Sequence, residues 1–147
     1  MRASASIPIA SRPVKLGGKR LLDGGVSDPI PVKWMLSRGY EKNVVVLTRD
    51  VKYRKKANPK MQLFLKAVLH KYPAFLKDLE ERHIHYNETL EELSALEKEG
   101  RVHIIRPSSP IQAAMIERDE SNLERIYQIG RADMKKDLEK LKAYLDS

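Results

Sequence analysis

The sequence predicts an α/β fold with a mostly parallel sheet. Along the chain the segments read strand, helix, strand, helices, strand, helices, the order of a sheet with crossover helices. Val44 to Leu47 form an apolar run without alternation, which predicts a strand buried on both faces, as in a parallel sheet. Apolar residues also recur at helical spacing over residues 60–100 and again from Asn122.

Taken in order, "KRLL" ends in Asp-Gly-Gly and reads as a short strand stopped by a turn. "SDPIPVKWMLSRGY" reads as a helix. Ser27 or Asp28 can cap it, Pro31 suits a first helical position and Gly39 suits the end. Val32, Met35 and Leu36 share a face, with Trp34 beside it. "KNVVVLTR" is the clearest strand. "MQLFLKAVLHKY" places Met61, Leu65, Val68 and Leu69 at helical spacing, and Pro73 starts a second helix that runs to Gly100. "RVHIIRP" is a short strand stopped by Pro107. Ser108 and Ser109 fall in a loop, and from Asn122 a final amphipathic helix is predicted to break at Gly130.

A chain of 147 residues fits one domain with a core, and 41% hydrophobic with 33% charged residues is an ordinary globular composition. No apolar run approaches the roughly 18 residues of a membrane span. The chain has no cysteine, which excludes disulfides, thiolate metal sites and a cysteine nucleophile. "MRASASIPIA" lacks the layout of a signal peptide. These features predict a cytoplasmic location.

The formal net charge of +8 is uneven. Residues 1–60 hold 14 Lys/Arg against 4 Asp/Glu, whereas residues 61–147 hold 14 against 16. The excess peaks in "TRDVKYRKKANPK", where Arg49, Lys52, Arg54, Lys55, Lys56 and Lys60 crowd around Tyr53. Such a loop is either a solvated surface or a contact for an anionic partner. His83 and His85 lie two apart in a helix and so face different sides, which argues against a shared metal ion. Glu80-Glu81 and Glu91-Glu92 lie in a charged helix and read as solvated.

Asp23 sits at the carboxyl end of its strand, where α/β sheets place their sites. Thr48, which opens the basic loop, ends the next strand. In a parallel sheet the two would share one rim. Gly24 and Gly25 allow positive φ and close approach of other groups. A carboxylate there can deprotonate a nucleophile, or it can simply bond its own turn.

The stretch "ASASIPIASRPVKLGGKRLLDGGVSDPIPV" resembles the patatin-like phospholipase family. The resemblance is carried by the small residues Ala3 to Pro8, by Pro13-Val14, by the strand Lys19 to Leu22, by Asp23-Gly24-Gly25, and by Asp28 and Pro31. The strand ending in Leu47-Thr48-Arg49 and the later "RVHIIRPSSP" with its helical tail are similar to a bacterial subgroup. The resemblance implies a three-layer α/β/α fold, with residues 1–107 as the C-terminal part of the catalytic core and 108–147 as a helical extension. It implies a serine acyl hydrolase with a Ser-Asp dyad, acting on a lipid or other acyl ester without a cofactor or metal. Asp23 then matches the catalytic aspartate, Gly24 and Gly25 the glycines of its turn, and Asp28 a structural residue.

The chain departs from that pattern in one respect. None of its serines lies in Gly-x-Ser-x-Gly, and it has no glycine-rich oxyanion loop. The chain is therefore expected to be the C-terminal part of a longer enzyme, to carry the base without the nucleophile, and to be inactive alone. Its strands would leave apolar surface uncovered, which predicts self-association. The basic loop, Arg49 to Lys56, would contact anionic headgroups at a membrane surface. The alternative is a non-catalytic basic module for anionic surfaces or nucleic acid. The acidic second half and the lack of a nucleic-acid fold motif argue against nucleic acid.

Overall fold

The computed structural model describes residues 1–8, 10–114 and 117–147. The chain divides into two units, residues 1–31 with 55–89 and residues 32–54 with 90–147.

In the first unit, Gly17 and Gly18 adopt φ of 56° and 74°, a region that L side chains avoid, and so reverse the chain within two residues. They join β1 (Val14–Leu16) to β2 (Lys19–Leu21) in an antiparallel hairpin, with Val14 opposite Leu21 and Leu16 opposite Lys19. A 3-10 turn, Gly24–Val26, follows. The helix α2 (Pro59–Leu69) begins where Asn58 accepts a bond from the Met61 N–H at 3.1 Å and Pro59 takes the first position. Leu65 and Val26 are the buried apolar residues of this unit.

In the second unit, α1 (Val32–Ser37) precedes β3 (Asn43–Val46). β3 pairs in parallel with β4 (Val102–Ile105), in the register Asn43 to Val102 and Val46 to Ile105. The helix α3 (Pro73–Lys98) starts in the first unit and ends in the second. Gly100, at φ 73°, closes it, with the Arg101 N–H donating to Leu96 O at 3.0 Å. The last helix, α4 (Glu120–Asp146), is capped by Asp119, whose carboxylate accepts from the Ser121 and Asn122 N–H groups. Leu93, Leu96, Val102, Ile104, Val32 and Leu47 form this unit's core.

Tyr144 on α4 fastens that core. Its hydroxyl accepts from the Asn43 N–H at 2.8 Å and lies 2.9 Å from Arg101 O, to which it donates. Asn43 is itself buried. Removing the hydroxyl leaves the Asn43 N–H with only its longer bond to Arg101 O at 3.3 Å, so Tyr144→Phe is expected to destabilise the chain by about 1 kcal/mol. Urea unfolding of the two proteins measures the difference.

The α/β class holds, with helices, one antiparallel hairpin and one parallel pair among the described residues. Four expectations are corrected. First, the strand before Asp23 pairs with β1 and not with β3, so strand pairing does not bring Asp23 and Thr48 to one rim. Second, the Val44–Leu47 run is not buried on both faces. Asn43 and Leu47 are buried, while Val44 is 42% and Val46 68% exposed. On the face that Val44 and Val46 share with His103 and Ile105, α4 covers β4, where His103 reaches Asp137 at 2.6 Å, but leaves β3 open, and a continuous apolar run cannot report such a gap. Third, neither Ser27 nor Asp28 caps α1. Both lie in the turn set by Asp23, and Pro29 and Pro31 disfavour helical geometry in the residues before them, so the helix starts at Val32. Fourth, α4 runs unbroken through Gly130. One glycine costs about 1 kcal/mol relative to alanine, too little to break this helix, whose Ile126, Ile129, Met134 and Leu141 are half-buried.

Candidate active site

Asp23 ends the segment that leaves the hairpin. Its N–H donates to Ser6 O at 3.0 Å, which ties the turn to the start of the chain. Its carboxylate Oδ1 accepts from the Gly25 N–H at 2.9 Å, so Asp23 caps its own 3-10 turn. Oδ2 has no hydrogen-bond partner among the described residues. Arg82 on α3 donates through Nε to Gly25 O at 2.7 Å and holds the turn from the other side.

The two glycines act differently from the expectation of positive φ. The positive-φ glycines are Gly17, Gly18, Gly39 and Gly100, and neither Gly24 nor Gly25 is among them. Gly25 instead provides room. A Cβ there would stand 3.3 Å from Asp23 Oδ1 and 3.8 Å from the Arg82 guanidinium. A Cβ at Gly24 would meet open space.

Asp23 lines a cavity of about 600 Å³. This volume lies within the usual range of ligand pockets, roughly 300–1,000 Å³. Its walls are largely apolar, from Leu21, Leu22 and Val26 beside the turn and Val68, Leu69 and Phe75 on α2 and α3. Arg20 and Tyr72 also line it and are joined by a 2.8 Å hydrogen bond. An anionic oxygen beside an apolar volume can accept a proton from a hydroxyl next to it while the volume takes an alkyl chain. Neither the α2 and α3 walls nor Arg82 was foreseen from sequence. Phe64, apolar in addition to Met61, Leu65, Val68 and Leu69, was the available signal that α2 carries more apolar surface than one packed face needs.

The basic loop is largely occupied by its own contacts. In the second unit, Arg49 donates to Ile111 O at 3.1 Å and stacks 5.0 Å over the Tyr53 ring. Arg54 donates to the carbonyls of Val51 and Tyr53 at 3.1 and 2.8 Å. Lys52 is exposed, and only its backbone N–H is bonded, to Asp50 Oδ1. Lys55 and Lys56 belong to the first unit. Lys55 exchanges two backbone bonds with the Asn87 side chain, and its ammonium stands 5.5 Å over the Tyr86 ring. Lys56 is exposed.

His83 bonds Glu80 O on its own helix, and His85 reaches Glu81 and Glu88. Among the described residues no three metal-ligating side chains come together, and no helix is long and apolar enough to cross a membrane.

A second, polar cavity of about 850 Å³ lies in the second unit, with Arg49, Gln112, Glu117, Asn122 and Arg125 around it. Glu117 accepts from the N–H groups of Asp119 and Arg118 and from the Asn122 side chain, and these bonds lower its pKa from 4.5 to about 2. Asp133 on α4 is lowered chiefly by the Ser108 N–H, 2.8 Å away. Carboxyls held low in the fold stabilise it fully above their ordinary pKa and lose that contribution as the pH falls through the folded value. The Asp119 amide is therefore expected to titrate with a midpoint near pH 2 and the Ser108 amide below pH 3.8. An NMR titration reads both, and Glu117→Gln should abolish the Asp119 transition alone.

Residues 72–146 match a family described as a domain of unknown function, DUF6363. The chain belongs to that family. The DUF6363 region takes in α3, β4 and α4, and with them Arg82, Leu93 and Tyr144. Residues 1–36 match the patatin-like phospholipase family, a lipid-hydrolase family, and contain Asp23, Gly24 and Gly25. The cavity beside Asp23 thus draws walls from the patatin-like segment and from the DUF6363 region, where Phe75 lies. No curated protein and no solved structure matches the chain.

Proposed function

We propose that Asp23 is the general base of a Ser-Asp dyad in a patatin-like lipid acyl hydrolase. The observation that carries this reading is the placement of the Asp-Gly-Gly turn inside the patatin-like match, with one carboxylate oxygen unspent beside an apolar cavity. In the proposed reaction a serine Oγ attacks the ester carbonyl as its proton passes to Asp23. The proton then goes to the departing alkoxide, leaving an acyl-serine. Water, deprotonated by Asp23, then attacks the acyl carbonyl; the bond to the serine Oγ breaks, the proton passes from Asp23 to that Oγ, and the fatty acid leaves. The acyl chain occupies the cavity. The nucleophile and the oxyanion donors lie outside residues 1–147, so this chain alone turns over no ester by this route.

Gly25 and Arg82 are positioning residues here, since they hold the turn that aims Asp23. Exposed Lys52 and Lys56 are the members of the basic loop that reach anionic headgroups, and the protein works as a peripheral, cytoplasmic enzyme. The test is ester turnover in the protein that joins this chain to a Gly-x-Ser-x-Gly segment encoded upstream, with and without Asp23→Asn. Full activity after that change returns Asp23 to a turn residue.

A further inference from the structure

α2 exposes more apolar surface than its packing uses. Its packed face is Gln62, Leu65 and Leu69. A second stripe, Met61, Phe64 and Val68 at three- and four-residue spacing, faces solvent, and Leu63 stands out beyond it at 73% exposed. Phe64 is 51% exposed. Single exposed apolar residues are ordinary, but the stripe and Leu63, about 100° around the helix from Phe64, together leave a broad side of α2 apolar.

Apart from the Glu80 carboxylate that Lys66 neutralises, the charge carried by this stretch of chain has one sign. Between Val51 and Lys77 the sequence contains no Asp or Glu. Lys66 and Lys77 are drawn back to Glu80 and Glu81 on α3. Lys56, Lys60 and Lys71, before, within and after the helix region, remain exposed. Apolar side chains flanked by long basic ones, with no carboxylate between, suit the boundary of an anionic bilayer. The rings and alkyl groups enter the acyl region while the ammonium groups stay at headgroup level.

We infer that α2 docks the protein on an anionic lipid surface, with Met61, Leu63, Phe64 and Val68 inserted and Lys56, Lys60 and Lys71 on the headgroups. Charge decides against a second copy of the chain as the occupant. A two-fold contact would set this basic face against itself. Val68 gives the surface a use, because it is both 47% exposed and part of the wall of the Asp23 cavity. Insertion therefore places a wall of that cavity at the lipid. In this use the docking surface rests on the acyl-hydrolase reading, whereas the binding itself is measured without turnover, so either can fail while the other stands.

The experiment is sedimentation of the 147-residue chain with vesicles of equal parts phosphatidylcholine and phosphatidylglycerol. The chain should pellet, less so with pure phosphatidylcholine or at high salt. Replacing both Leu63→Gln and Phe64→Gln should lower the partition coefficient by about tenfold or more. These residues are exposed, so the fold is retained, and far-ultraviolet circular dichroism checks this. Since the chain has no cysteine, Leu63→Cys accepts an environment-sensitive fluorophore whose emission should shift to the blue on adding the mixed vesicles. Pelleting unaltered by the double substitution, or emission unaltered by vesicles, overturns the inference. A lipid-free dimer that the double substitution converts to monomer also overturns it, because a second copy then covers the face.

Discussion

Asp23→Asn is expected to lower ester turnover by about a thousandfold in the protein that pairs this chain with its serine, the middle of the usual range for a general base. Asparagine keeps the size of the side chain, and its carbonyl oxygen can still accept from the Gly25 N–H, so the cap and the turn survive. What is lost is the second oxygen's capacity to take a proton. The fall should therefore appear in kcat, with KM little changed. Asp23→Ala would remove the cap as well and mix the two effects. A control separates an upstream nucleophile from a nearby hydroxyl: Ser11 and Ser27 also line the cavity. Turnover that survives Ser11→Ala and Ser27→Ala but not Asp23→Asn fits the dyad. Turnover abolished by either serine change would place the nucleophile in this chain and overturn the reading.

Local punctuation made much of the fold legible in the sequence. Pro73 separates α2 from α3, Gly39 and Gly100 follow helices, and Pro107 ends β4, all with little help from the rest of the chain. Gly17-Gly18 is a two-residue hairpin signal as well, yet "KRLL" reads as a lone strand because β1 is only three residues long. The burial of β3 was not legible, because an apolar run records what a strand can pack against. Val44 and Val46 stay exposed because α4 covers that face at β4, around His103, and not at β3. Gly130 misled for the opposite reason, since one glycine costs only about 1 kcal/mol and does not break a helix that runs from Glu120 to Asp146.

The candidate site divides the same way. Asp23 and its glycines stand out because a carboxylate, a turn and the residues that shape it are adjacent in sequence. The cavity wall does not, because Val68, Leu69 and Phe75 meet Leu22 only after the chain has folded back. The basic loop shows the limit of reading charge from sequence. Arg49 and Arg54 have the composition of an anion site, but their guanidinium groups bond backbone carbonyls.

Leu93→Ala should be the most destabilising of the stability changes considered, at about 3 kcal/mol. Leu93 is fully buried, with no exposed surface, and the buried residues of its unit include Leu96, Val102 and Ile104. Truncation removes the transfer energy of three carbons and leaves a void that surrounding strands and helix cannot close. Val44→Ala, on the exposed face of β3, is the matched comparison and should cost under about 0.5 kcal/mol. Urea unfolding of both variants gives the contrast. A large cost at Leu93 with almost none at Val44 establishes that the Val44 side of β3 is open in solution. A comparable cost at both would mean that the Val44 face is covered there, and the self-association expected of an uncovered sheet would then be the first explanation to examine, through the concentration dependence of the midpoint.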